Sequence, residues 1–338
     1  MRPYGIAILG TGNVAKGHLV SIQATLGAEL AALGTRILEK GQTWAVEQGV
    51  DCPIYTDLDN LLADDRVDIV IVTTPNNQHA AQTIKIAQAE KHILIEKPVA
   101  LNLEDLRAMQ AAVQASGVRT LVSFVLHWNP ALNMAKNLIT DGVIGDVFLA
   151  ETTYWHSTPR AVPGMWMTQK EVAGSVFLMG GCHAVDAARW LVGADIVEVC
   201  AFAVDKGKEW YDYPHTVSAT IRYANDAVGR ISVSMGCVMP YTFEFTLMGT
   251  KGTIRENRLY SDLLKGQDDY AVIPTQLPDS GSVLHHPFTP GLQHFVKCLE
   301  EDKETELSLD NAINVHEACL AVDLSVEEGR TVSLPLPG

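Results

Sequence analysis

The sequence predicts an α/β fold in two domains: a doubly wound parallel sheet first, then an α+β domain with a large, open, mainly antiparallel sheet. Three observations predict it. The chain has 338 residues, and at roughly 150 residues per domain that length holds two cores. As far as Phe124, short apolar runs alternate with helical patterns, the mark of βαβ units whose sheet is covered on both faces. Beyond Gly145 the rhythm changes to longer runs at period two with few helices between them, so hairpins should join those strands.

Taken in order, the β-rich apolar runs place strands at 5–9, 29–33, 53–56, 68–72, 92–95 and 120–124. The stretches between them place helices at 13–25, 38–48, 77–90 and 103–115. In the second half, strands fall at 147–155, 196–204, 215–223, 228–235, 241–248 and 252–256, interrupted by one helix at 175–192. Helices at 290–301 and 309–327 precede a last strand at 331–334. The stretch 266–287, rich in Asp, Pro, Ser and Gly, is expected to be a mobile loop. The domains are therefore drawn at 1–125 and 126–338, with the closing segments able to pack back on the first.

Composition narrows the function. Lys and Arg number 25 against 40 Asp and Glu, a net charge of −15 that repels phosphate backbones and anionic lipid surfaces. Nucleic acid and membrane are thus excluded as partners. The apolar run at 69–72 ends in Asp68 and Thr73, far short of the roughly 18 residues a membrane helix needs. The apolar start of the chain is too short for a signal-peptide core, so a cytoplasmic protein is expected. Six scattered cysteines form no CxxC pair and are expected to be reduced.

Gly10-Thr11-Gly12-Asn13-Val14-Ala15 follows the first strand and opens the first helix. Glycines there let the backbone turn tightly and approach a pyrophosphate at the helix N-terminus, so the Rossmann dinucleotide reading leads. An acidic residue about 20 positions on would hold a ribose 2′-hydroxyl. Thr35 and Arg36 stand there instead. With no carboxylate to repel a 2′-phosphate, and a guanidinium to pair with it, NADP(H) is expected over NAD(H). The next strand ends lead into Thr73-Thr74-Pro75-Asn76-Asn77-Gln78-His79 and Glu96-Lys97-Pro98. Open α/β sheets bind ligands at such ends, which adds Thr74, Pro75, Asn76, His79, Glu96 and Lys97 to the cofactor contacts.

GxGxxA, TPxxxH and EKP in this order and spacing resemble the Gfo/Idh/MocA family of nicotinamide-dependent oxidoreductases, which act mainly on sugars and cyclitols. FVLHWNP at 124–130, GVIGD at 142–146, the segment 174–186 and the closing 322–335 extend the resemblance over most of the chain. It implies a Rossmann domain followed by a substrate-binding domain whose open sheet is often used for oligomerisation, and a long period-two sheet with little helical cover on one side should expose an apolar face, so a homodimer or homotetramer is expected. It implies that Lys97 reaches the nicotinamide ribose and the reacting hydroxyl, across a Lys97–Pro98 bond that is cis, and that His183 is the second catalytic residue. From the residues alone, an ammonium at a strand end can stabilise alkoxide character, and an imidazole titrating near neutrality can exchange the hydroxyl proton.

Asp186, three residues after His183 on one helix face, is expected to orient that ring or contact substrate. Trp128, His156 and Trp166 are further substrate contacts, since aromatic walls suit a pyranose or cyclitol. His127 reads equally as structural or substrate-binding. Adjacent His285 and His286 lack a third ligand at suitable spacing, so no metal is expected. Two departures from the family pattern make the pocket less charged: Met179 stands four residues before His183 where the family carries Asp, and Met167 follows Trp166 where it carries Arg.

The function expected is hydride transfer between nicotinamide and a carbinol or carbonyl carbon of a sugar or cyclitol. The alternatives are a cofactor-retaining glycoside-processing enzyme working by oxidation and elimination, and a non-catalytic cofactor-sensing regulator.

Overall fold

Six short strands, β1 (Tyr4–Leu9), β2 (Ala28–Gly34), β3 (Ile54–Tyr55), β4 (Ile69–Val72), β5 (His92–Ile95) and β6 (Thr120–Val122), pair in the order β3-β2-β1-β4-β5-β6, all parallel. The structure is a computed structural model describing residues 2–157, 162–279 and 285–337. Between the strands run α1 (Asn13–Ala24), α2 (Leu38–Gln48), α3 (Leu58–Leu62), α4 (His79–Gln88) and α5 (Leu103–Ser116). Helices on both faces explain why the Ile-Val-Ile-Val of β4 is buried at every position. Strand order reverses between β1 and β4, the place where such sheets open a crevice for ligands.

The second half adds α6 (Pro130–Thr140), β7 (Val147–Trp155), α7 (Lys170–Ala173) and α8 (Cys182–Val192). Then come β8 (Ile196–Val204), β9 (Thr216–Tyr223), β10 (Val228–Ser234), β11 (Thr242–Gly249), β12 (Gly252–Arg255), β13 (Arg258–Ser261) and β14 (Ala271–Val272). Last are α9 (Phe288–Glu300), α10 (Leu309–Glu328) and β15 (Val332–Ser333). The second sheet has nine strands in the order β14-β13-β12-β11-β7-β10-β9-β8-β15. It is antiparallel except for β7 and β10, which run parallel. Parallel neighbours need a long crossover, and α7, α8 and two strands lie between these two in sequence.

The chain clusters into two compact units: Met1–Val125 with Ser282–Ala312, and Leu126–Gly281 with Ile313–Gly338. In the first unit the returning segment joins the Rossmann half closely. α9 packs on α1, where Ser21 and Thr289 hydroxyls meet at 3.4 Å and Phe288 lies 4.5 Å from the His18 ring. Val122 N donates to Leu307 O at 2.7 Å, so the edge strand β6 is covered by that segment.

In the second unit α8 and α10 lie on one face of the large sheet. Thr152 of β7 donates to Ala184 O, and Ser325 of α10 accepts from Ala201 N of β8. The other face differs from the apolar surface that period-two strands without helical cover suggest. Its rows carry hydroxyl pairs, Ser218 with Ser232 at 2.8 Å and Thr216 with Ser234 at 2.7 Å. Two ion pairs, Arg222–Glu198 and Arg230–Glu151, cross adjacent strands, and Phe202 and Val204 stand exposed at one margin. Cross-strand polar pairs let an uncovered sheet face water without becoming a continuous apolar patch.

Five elements, α3, α6, α7, β13 and β14, lie outside the strands and helices expected from the sequence. The 175–192 helix is two pieces, a π-helical turn at Phe177–Gly181 and then α8. Of the stretch 266–287, residues 280–284 lie outside the described residues. Among the described residues no helix is long and apolar enough to cross a membrane. All six cysteines are free thiols.

Candidate active site

In the first unit the sequence-predicted residues fall on loops at the carboxyl ends of neighbouring strands. Gly10 leaves β1 with φ +106°, a left-handed conformation that suits glycine, and donates to Gly34 O at 2.8 Å. A Cβ added there would lie 2.8 Å from Thr73 O. The Thr73 hydroxyl closes the same junction, bridging Leu9 O and Gly10 O at 3.1 and 3.0 Å. Gly12 is the N-cap of α1, with no side-chain cap and no acidic residue in the first turn. A Cβ on Gly12 would meet nothing within 4 Å. Thr11, Asn13 and Val14 are exposed or half-buried beside it.

These residues fit a dinucleotide. The close β1 turn and uncapped amides facing open space are what a diphosphate needs at a helix N-terminus. At the end of β2, Thr35 N donates to Tyr55 O, and its hydroxyl donates to Ile37 O at a long 3.3 Å. Arg36 is exposed, and among the described residues no carboxylate pairs with it. At the end of β4, the Thr74 hydroxyl donates to Gln82 at 2.6 Å, Pro75 is exposed and Asn76 is buried.

His79 and Glu96 are turned into the protein. The His79 ring is 1% exposed, with Nδ1 2.7 Å from Pro98 O and Nε2 2.9 Å from Thr74 O. Burial pulls it below the ordinary imidazole value against the pull of those carbonyls. Glu96 sits 2.8 Å from His18 Nε2. Burial pushes its carboxyl up, yet the bond and charge of His18, the charge of Lys97 and the Ser123 hydroxyl outweigh that and hold it below its ordinary value. Between these two anchored residues Lys97 is half-buried, and the Lys97–Pro98 bond is cis.

His18 is a residue the sequence reading passed over. Its signal was its place on the apolar stripe of α1, beside Ala15, Leu19 and Ile22, where a polar ring needs a buried partner.

In the second unit the π-helical turn leads into α8 and sets His183, 4% exposed, in the first turn. The turn fits only because Gly180 and Gly181 carry no side chains. A Cβ on Gly180 would lie 2.6 Å from the Tyr154 ring and from the Met235 methyl, and one on Gly181 2.8 Å from Val233. Tyr154 is the centre of an aromatic group. Its ring stacks on His183 at 6.1 Å and on His156 at 5.9 Å, and Tyr241 meets both Tyr154 and His156 edge-on at 5.5 Å. Burial raises both tyrosine hydroxyls well above their ordinary value, so they are neutral donors.

Met179 is half-buried, while every other residue from 173 to 188 is buried. Asp186 does not orient His183. Its Oδ2 lies 2.9 Å from His127 Nε2, and the His127 ring stacks on Trp190 at 4.1 Å. The structure brings His183 and His156 together and assigns Asp186 to His127. Trp166 is 42% exposed on a short 3-10 turn and, among the described residues, shares no ring contact with the Tyr154 group. Trp128 is half-buried at the end of another such turn. At the start of the π-helical segment, Ser175 accepts from Leu178 N and bonds Asp323 of α10, whose carboxyl burial pushes up to about 7. His286 stacks on Phe288 at 5.6 Å, and among the described residues no three His, Cys, Asp or Glu side chains could hold a metal ion.

The model of an oxidoreductase family with an NAD-binding Rossmann fold matches residues 4–124, and that of the GFO/IDH/MocA C-terminal domain matches residues 132–255. The chain is 27% identical over 341 residues to scyllo-inositol 2-dehydrogenase (NAD(+)) of Bacillus subtilis, covering 97% of this chain and 95% of that one. It is 29% identical over 270 residues to 2,7-anhydro-N-acetylneuraminate hydratase of Mediterraneibacter gnavus, covering 75% and 67% respectively. The crystal structure of an oxidoreductase domain protein from Kribbella flavida matches with a TM-score of 0.89 at 24% identity, over 99% of this chain and 100% of that one. With both halves matched and a glycine turn, an EKP strand end and a helix-borne histidine in place, the chain belongs to the Gfo/Idh/MocA oxidoreductase family.

Proposed function

We propose that this protein is a sugar or cyclitol oxidoreductase that uses a nicotinamide dinucleotide, with NADP(H) preferred over NAD(H). The observation that carries the reading is Lys97, half-buried at the end of β5 between two anchored neighbours, in the same crest as the uncapped N-terminus of α1. Gly10, Thr11, Gly12, Asn13 and Val14 hold the diphosphate, while Thr74, Pro75 and Asn76 line the path toward the reacting end. Thr35 and Arg36 receive the 2′-phosphate, since a guanidinium is a fixed fork for that group. The nicotinamide supplies or accepts the hydride when bound.

The chain's own residues handle the oxygen and the proton. Lys97 donates a hydrogen bond to the reacting oxygen and stabilises its alkoxide character. His183 takes the hydroxyl proton in oxidation and returns it in reduction. His156 and Trp166 offer ring faces to the sugar, with Trp128 beside them. Asp186 supports the wall from behind through His127.

Titration with NADPH and NADH, followed by energy transfer from protein to nicotinamide, tests the cofactor site. Tight NADPH and weak NADH binding supports the reading. Equal or tighter NADH binding removes the Arg36 argument, and the Bacillus subtilis relative is itself named for NAD(+). Turnover is then screened with cyclitols, aldoses and keto-sugars at the nicotinamide absorbance band.

A second reading is favoured by Met179 and by the relative named a hydratase. In it the cofactor stays bound and is regenerated while a glycoside undergoes elimination. Cofactor that survives purification, with turnover and no net nicotinamide change, selects it. A homodimer or homotetramer completes the proposal, and sedimentation equilibrium tests it.

A further inference from the structure

Glu96, Lys97 and Pro98 are held from two sides by buried histidines that come from different elements. His18 belongs to α1, six residues after Gly12, and its Nε2 meets Glu96 Oε1 at 2.8 Å. His79 opens α4, and its Nδ1 meets Pro98 O at 2.7 Å while Nε2 meets Thr74 O at 2.9 Å. Both residues are 1% exposed. The two bonds fall on the residues immediately before and after Lys97. Backbone displacement at either one would swing the ammonium, and misplacement of about 1 Å can cost on the order of 10²-fold in rate.

We propose that His18 and His79 are positioning residues for Lys97, forming a clamp that sets the aim of its ammonium and ties it to the α1 loop and the Thr74 turn. The inference rests on the catalytic role assigned to Lys97 above. His79 is expected from the sequence to contact cofactor, but its two ring nitrogens face Pro98 O and Thr74 O instead. Each acts through the residue it binds. The nitrogen used differs between them: His18 works through Nε2, and its Nδ1 is buried without a hydrogen-bond partner. His79 meets Pro98 through Nδ1. An Asn amide nitrogen reproduces the position of Nδ1, and a Gln amide nitrogen that of Nε2. Conservative rescue should therefore cross over, with His18→Gln and His79→Asn keeping the clamp, and His18→Asn and His79→Gln losing the bond to the Lys97 segment.

The test reads Lys97 directly. The full chain and its variants, with and without NADPH, are pulsed with acetic anhydride, and acylation of Lys97 is measured by peptide mass spectrometry against Lys91. Thermal unfolding is recorded alongside. In His18→Ala and His79→Ala, Lys97 is expected to acylate faster by about threefold or more and to lose part of its protection by NADPH. His18→Gln and His79→Asn return both readouts to the parent level. Where turnover is available, kcat falls about tenfold or more in the alanine variants while KM for cofactor holds.

Parent-like Lys97 reactivity in folded His18→Ala and His79→Ala overturns the clamp. So does equal rescue by Asn and Gln at both positions, which would mark a filling role only. If instead Lys97→Met turns over normally, the catalytic reading fails while acylation still reports on the clamp.

Discussion

The end of β5 and the start of α8 each present one proposed catalytic side chain, and they are built differently. Around Lys97 the contacts are polar and directional: a carboxylate on an imidazole, a second imidazole between two carbonyls, a threonine hydroxyl bridging two more. Around His183 they are steric: two glycines against Tyr154, Met235 and Val233, and rings stacked on one another. A loop at a strand end lacks a regular ladder to fix it, so hydrogen bonds must do so. A helix brings its own ladder and needs only a shaped surface to lie on. The first construction should thus tolerate changes of volume that preserve a donor, and the second changes of polarity that preserve volume.

The largest expected effect breaks the comparison at the chemistry itself. Lys97→Met should lower kcat by about 10²–10³-fold with thermal stability retained, the loss typical of a removed oxyanion donor. Steady-state kinetics beside a thermal melt checks it.

Asp323 sharpens the steric side, because it is the polar support under Ser175. Its carboxyl stands at about 7 in the folded chain against an ordinary 3.8, so the folded state holds a proton that the unfolded chain releases. Stability should fall as pH rises from about 4 to about 7 and then level, by on the order of 4 kcal/mol. Asp323→Asn should flatten that slope in denaturant melts. A slope of the opposite sign would mean a carboxylate stabilised by Lys170.

Gly180→Ala adds a methyl against Tyr154 and should cost about 1–3 kcal/mol, with Gly180→Ala/Tyr154→Leu recovering part of it. Thermal melts of the single and double variants decide. On the polar side, Arg36→Glu should shift the NADPH to NADH affinity ratio by about tenfold or more toward NADH. The smallest effect is at a surface cap. Asn102 accepts from Asp105 N at 2.8 Å at the head of α5, and Asn102→Ala should lose about 1 kcal/mol of stability and no activity.

Much of this was legible in the sequence where one physical cause acts alone. Buried strands and amphipathic helices follow apolar period, and 92–95, 147–155, 196–204 and 38–48 stand with the ends read from it. Helix α6 was missed although Asn129 and Pro130 mark it, an N-cap followed by proline at the first helical position. The π-helical turn had no local signal. It depends on Tyr154, 26 residues earlier, filling the space left by Gly180, and period analysis sees only neighbours in sequence. The same applies to His18 with Glu96 and His127 with Asp186: each partner is identifiable only once the fold has brought it near. Sequence placed the reacting groups, and the packing revealed what holds them.

The edge strand β6 carries a consequence for synthesis. Its partner groups arrive late: Leu307 O for Val122 N, Leu309 N for Thr120 Oγ1, and Asp302 with Glu304 for Arg119. At about 5–20 residues per second, a ribosome needs roughly 10–40 s to pass from Val122 to Leu307. Through that interval the Rossmann half has emerged with an open strand edge while the whole nine-stranded sheet is still being made. The nascent chain offers a pairing surface during those seconds, and a chaperone or the ribosome surface is where it must be shielded.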